Sequence, residues 1–144
     1  MTGDGLALRR ALDFAVAANA DSASPYYQRL DTERVGMIGH SQGGQGTIAA
    51  ASDSRVDAVI MLNAGAPAPK PFLTTTGDLD ILSPSSFAGH LTPVLEPQRL
   101  VDITTGFFRY KLAGDAAARD LFVGADCRLC DRAAELEYGS HGLE

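Results

Sequence analysis

Helical and strand-like apolar patterns alternate along this chain. Leu6, Leu8, Leu12, Phe14, Ala15 and Val16 lie in an Ala-rich stretch, which predicts a helix with an apolar face over 6–19. Asp21-Ser22-Ala23-Ser24-Pro25 breaks it. Arg34-Val35-Gly36-Met37-Ile38-Gly39 is short, apolar and partly β-branched, as a buried strand is, and the small residues of 45–51 follow as helix. The rhythm then repeats. Asp57-Ala58-Val59-Ile60-Met61-Leu62 predicts a second buried strand, ending at Asn63-Ala64-Gly65. Beyond a proline-rich link over 67–71, Phe72-Leu73-Thr74-Thr75-Thr76 predicts a weaker third. From Pro97 the spacing of Leu100, Val101, Ile103, Phe107, Phe108, Tyr110 and Leu112 is helical again. Gly114 ends that helix, and Asp115 caps a short one over 116–122. The tail past Gly124 is polar and is expected to be loosely ordered.

Continuously apolar strands alternating with helices imply an α/β fold, a parallel sheet covered on both faces. Three parallel strands are expected in chain order, with room for a short fourth at 85–88. The opening helix and the 97–112 helix should pack on its faces through right-handed crossovers. The expected division is a domain over 1–124 and a tail over 125–144.

Composition narrows the function classes. At 144 residues and 45% hydrophobic, the chain has the profile of one globular domain. A net charge of −6 argues against nucleic-acid and anionic-membrane partners. No stretch approaches the roughly 20 apolar residues that span a bilayer. The first residues lack the pattern of a secretory signal, so the amino terminus leaves the compartment unknown. Cys127-Arg128-Leu129-Cys130 is compatible with a redox motif, half a zinc site or a local disulfide. No strand precedes it as a redox motif requires, and His141 with a few acids is a thin ligand set. A local disulfide or two ordinary thiols is the better reading, and no metal or cofactor is expected.

Gly39-His40-Ser41-Gln42-Gly43 is a G-x-S-x-G sequence set between a predicted strand and a predicted helix. A tight turn there forces the serine into a strained conformation and lifts its Oγ above the sheet. Gly39 and Gly43 leave room for neighbouring backbone. Ser41 is therefore the candidate nucleophile, and the Gln42 N–H a candidate oxyanion donor. His40 adjoins Ser41 too closely to serve as its base and reads as a packing residue.

A serine nucleophile needs a histidine base oriented by a carboxylate, in the chain order Ser, Asp, His for this kind of turn. Gly77-Asp78-Leu79-Asp80 follows the third strand, where an acid on a loop is well placed. Asp80 is preferred and Asp78 is the alternative. For the base, His90 in Gly89-His90-Leu91 is preferred over His141 in the tail.

The segment from Asp31 to Gly44, carrying Arg34-Val35-Gly36-Met37-Ile38-Gly39-His40-Ser41-Gln42-Gly43, resembles the nucleophile elbow of polyester-hydrolysing α/β-hydrolases. These are the bacterial cutinase, PET-hydrolase and dienelactone-hydrolase-like enzymes. Phe107-Phe108-Arg109-Tyr110-Lys111-Leu112 with Gly114-Asp115, then Phe122 and Cys127-x-x-Cys130, resembles the closing helix and cysteine-bearing tail of that group. The resemblance implies Ser41 as nucleophile, Asp80 as acid, His90 as base and Gln42 as half the oxyanion hole. It also implies ester hydrolysis through an acyl-enzyme, a small ester or polyester as substrate, export, and a Cys127–Cys130 disulfide.

Members of the group are about twice this length, so the chain is expected to represent the carboxyl-terminal half of the fold, a partial α/β-hydrolase. That would leave the elbow strand at an exposed sheet edge, a route to self-association. The interval between Asp80 and His90 is also short, although about ten residues can still span about 33 Å. Two further readings stay open at this stage. One is a non-catalytic remnant acting as an interaction module; the other is the same triad turned to a thioester, lactone or amide.

Overall fold

Strand β2 (Ala58–Leu62) is buried at all five positions, as a strand covered on both faces must be. In the computed structural model, which describes residues 3–64, 68–76, 97–125, 127–129 and 137–141, it lies inside a sheet ordered β1-β2-β3-β4. Strand β1 (Gly36–His40) runs parallel to β2, with Gly36 opposite Ala58 and His40 opposite Leu62. Strand β3 (Phe72–Thr76) is parallel on the other side, with Phe72 opposite Val59. The three parallel strands in chain order agree with the sequence pattern.

The fourth described strand, β4 (Glu137–His141), runs antiparallel to β3 and comes from the tail expected to be loosely ordered. Its Glu-Tyr-Gly-Ser-His sequence has no apolar run to announce it, and its place rests on backbone pairing with β3. The segment 85–88, where a short fourth strand was expected, lies outside the described residues.

The side-chain alternation of β2 divides the core in two. Val59 and Met61 face one layer with Leu12, Met37, Ala50, Ala51 and Val56. That layer is covered by α1 (Leu6–Ala20) and α2 (Gln42–Ala50). Ala58, Ile60 and Leu62 face the other, with Leu73, Leu100, Ile103, Phe107 and Phe122. Here the cover is α3 (Val101–Ala113), preceded by a 3₁₀ turn over Pro97–Arg99, and the short α4 (Ala116–Arg119). Helix α3 ends at Gly114 with φ 65°, and the Asp115 carboxylate accepts from the Ala117 and Ala118 N–H groups, as the sequence predicts.

Helix α1 matches its predicted span but not its predicted burial. Leu12 and Ala18 are buried, whereas Phe14 is 66% exposed and Leu6 44% exposed. Its apolar stripe is therefore only partly used against α2. At the start of β1, Asp57 Oδ2 accepts from the Val35 N–H at 2.8 Å while the Asp57 N–H donates to Val35 O at 2.8 Å. These bonds set the β1–β2 register that carries the elbow.

On the α1–α2 side, Arg55 joins Asp53 at 2.6 Å and Asp13 at 2.8 Å. The Arg55 side-chain hydrogen bonds, followed by the Arg55 backbone N–H, hold the Asp53 carboxyl well below its ordinary value of 3.8. A carboxyl depressed by folding contributes stability that is complete above the unfolded value and lost as pH falls below it. The melting temperature of the wild type should therefore decline as pH drops below about 4. Asp53→Asn should flatten that decline in a thermal-melt series against pH, and an unchanged slope would remove Asp53 from the account.

Candidate functional site

The end of β1 and the start of α2 meet at a single residue. Ser41 has φ 54° and ψ −121°, a combination that an L-residue with a side chain rarely adopts. Its N–H donates to Leu62 O at 2.9 Å, which extends the β1–β2 ladder by one bond past the strand. Its carbonyl accepts the Gln45 N–H at 3.1 Å, the first bond of the helix. The serine is thus gripped on one side by the sheet and on the other by the helix.

Serine at the first position of a helix usually turns its hydroxyl back to cap the free N–H groups. Ser41 makes no such cap. Its positive φ departs from the extended backbone usual for a capping serine, and the residue is half-buried. The helix therefore begins three residues earlier than the 45–51 predicted from composition, taking in Gln42, Gly43 and Gly44. The N–H groups of this first turn have no intrahelical acceptor and carry the positive end of the helix dipole.

Close packing explains two of the glycines. A Cβ on Gly39 would overlap the Gly43 carbonyl and lie 2.6 Å from Thr47 Oγ1. A Cβ on Gly44 would collide with the Ala64 side chain. Gly43 meets no such limit, so its place in the motif is not explained by space. Around the turn, the Thr47 hydroxyl donates to Gly43 O at 3.0 Å, and Gln45 Nε2 donates to Ala64 O at 2.6 Å. Asn63, with φ 51° and 4% exposure, turns the chain between the two points where β2 is tied to the elbow. Thr47, Gln45 and Asn63 were not singled out by sequence, because nothing in composition or spacing marks a contact made only by the fold.

Gly39, Gln42 and Gly43 also form one wall of a cleft of about 360 Å³. Leu6, Leu8 and Ile38 make its apolar surface, with Arg10 among the lining residues.

The other candidates divide clearly. His40 is half-buried at the end of β1, opposite Leu62. His141 pairs with Phe72 at the starting end of β3, whereas Ser41 follows the finishing end of β1. The register thus sets the His141 backbone at the far end of the sheet from the serine. Asp78, Asp80 and His90 lie outside the described residues. Cys127 is buried and disulfide-bonded, while Cys130 lies outside the described residues.

No curated protein matches the chain. A family model described as PET hydrolase-like matches residues 4–81, which run from α1 through the elbow and all three parallel strands. More than half of the sequence is covered, and with it the strained serine turn. The chain belongs to the PET hydrolase-like family, hydrolases of the polyesterase kind.

Proposed function

We propose that the protein is a serine carboxylic-ester hydrolase that works through an acyl-enzyme, with polyesters among its substrates. The observation that carries this reading is the backbone of Ser41, φ 54° and ψ −121°, at a strand-to-helix junction within the PET hydrolase-like match. Strain of this kind costs roughly 1–3 kcal/mol and persists where the surrounding structure and a function require it.

Ser41 Oγ attacks the ester carbonyl, and His90 takes the hydroxyl proton. Asp80 orients the imidazole and stabilises its cationic form. The Gln42 N–H faces the oxyanion of the tetrahedral intermediate. Collapse expels the alcohol, which leaves with the proton from His90. A water molecule then attacks the acyl-enzyme by the reverse sequence and releases the acid. The apolar cleft beside Gln42 and Gly43 gives the apolar part of an ester a place to lie. Within the triad, His90 is preferred to His141 because the register of β4 carries His141 away from the serine.

A fluorophosphonate probe tests the assignment, since only a serine activated by a base reacts rapidly. Wild type should label at Ser41, Ser41→Ala should not label, and His90→Ala should label at least about 100-fold more slowly. Equal labelling of wild type and His90→Ala would remove His90 from the mechanism.

A further inference from the structure

A serine forced into a rare backbone conformation needs its two flanks held in place, or the turn relaxes. Among the described residues, the Thr47 side chain lies against both flanks. Thr47 is fully buried, and its hydroxyl donates to Gly43 O at 3.0 Å, on the helix side of Ser41. The same oxygen lies 2.6 Å from where a Gly39 Cβ would project, on the strand side. Together with the Gly43 carbonyl, it therefore occupies the space that the missing Gly39 side chain leaves open.

We infer that Thr47 is a positioning residue for the ester-hydrolase reaction, its buried hydroxyl locking the turn that aims Ser41 Oγ. This rests on the reading of Ser41 as nucleophile. A hydroxyl on Cβ has a generic alternative, a bond to the carbonyl four residues back that makes a helical threonine comfortable. The two roles differ in what they predict. Gly43 O already lies in the helical ladder and keeps that bond, so a comfort bond can be lost at little cost. A lock on the turn would show in the rate instead.

The experiment pairs Thr47→Val, which keeps the shape and loses the hydroxyl, with Thr47→Ser, which keeps the hydroxyl and loses the methyl. Hydrolysis of p-nitrophenyl butyrate is measured per folded protein alongside the melting temperature, with Ser41→Ala as blank. Thr47→Val should melt close to the wild type yet show kcat reduced about three- to tenfold with KM unchanged. Thr47→Ser should recover most of kcat while melting lower, because its missing methyl leaves a void. Rate would thus be lost in one variant and stability in the other. A Thr47→Val protein with wild-type kcat, or rates that simply follow melting temperature in both variants, would overturn the inference. A wild type without Ser41-dependent turnover would overturn the reading beneath it, and the role of Thr47 with it.

Discussion

Gly39→Ala should abolish nearly all Ser41-dependent hydrolysis while leaving a folded protein. The added methyl would overlap the Gly43 carbonyl and crowd Thr47 Oγ1 at 2.6 Å. Neither neighbour is the end of a flexible side chain. One is backbone in the first turn of α2, and the other is a fully buried hydroxyl already bonded to that turn. Relief must come from opening the angle between β1 and α2, which is the angle that aims Ser41. Overpacking of this sort costs about 1–3 kcal/mol in stability, a loss that a domain of this size can survive. Displacing a reacting group by about 1 Å costs about 10²-fold in rate. The expected result is a drop in kcat/KM of about 100-fold or more with a modest fall in melting temperature. Near-native turnover from Gly39→Ala would mean that the turn is not held as tightly as its packing implies. Gly43→Ala is a useful companion, since space at that position is open. A milder effect there would tie the loss to the specific overlap at Gly39.

The largest stability effect should come from Phe107→Ala, on the opposite face of the sheet. Phe107 is fully buried on α3, packed with Leu100, Ile103 and Phe122 under the Ala58, Ile60 and Leu62 face of β2. Its ring lies 5.9 Å from that of Phe122, edge to face, and 5.9 Å from that of Phe108. Truncation removes both ring contacts and leaves a void that rigid strands cannot close. The expected cost is about 3–5 kcal/mol, a large share of the 5–15 kcal/mol typical of a domain. At roughly 3 °C per kcal/mol for this chain length, the melting temperature should fall by about 10 °C or more. The site lies across the sheet from α2, so turnover per folded molecule at low temperature should stay close to wild type. A shift under about 3 °C would show that α3 is not integral to the core.

The two predictions draw on features of unequal visibility in the sequence. Strand β2 was legible because burial on both faces makes it a continuously apolar run. Strand β1 reads as a buried strand in sequence, yet only Met37 of it is buried and Ile38 is 46% exposed, because one face of that strand is left uncovered. The elbow was legible because the glycines leave a spaced signature around Ser41, and the structure shows the close approach that requires Gly39. Helix α2 was placed too late because Gly43 and Gly44 are poor helix formers by themselves. At Gly44 the close approach of the Ala64 side chain, made only by the fold, leaves no room for a Cβ. Strand β4 escaped notice for a related reason: an added edge strand can be held by backbone bonds to β3 without an apolar run. The exposure of Phe14 was equally hidden, since periodicity shows that a helix has an apolar stripe but not how much of it finds a partner. For the proposed reaction, sequence singled out a candidate nucleophile, oxyanion donor, acid and base. The groups that hold the turn, Thr47 among them, emerge only when distant residues are brought together.

The central claim is that this turn makes Ser41 a working nucleophile toward esters. Its most direct test is hydrolysis of p-nitrophenyl butyrate by purified, demonstrably folded protein beside Ser41→Ala. The account predicts saturable turnover in the wild type and a rate in Ser41→Ala indistinguishable from the uncatalysed background. Equal rates in the two proteins would contradict it and leave the elbow as a structural turn without chemistry.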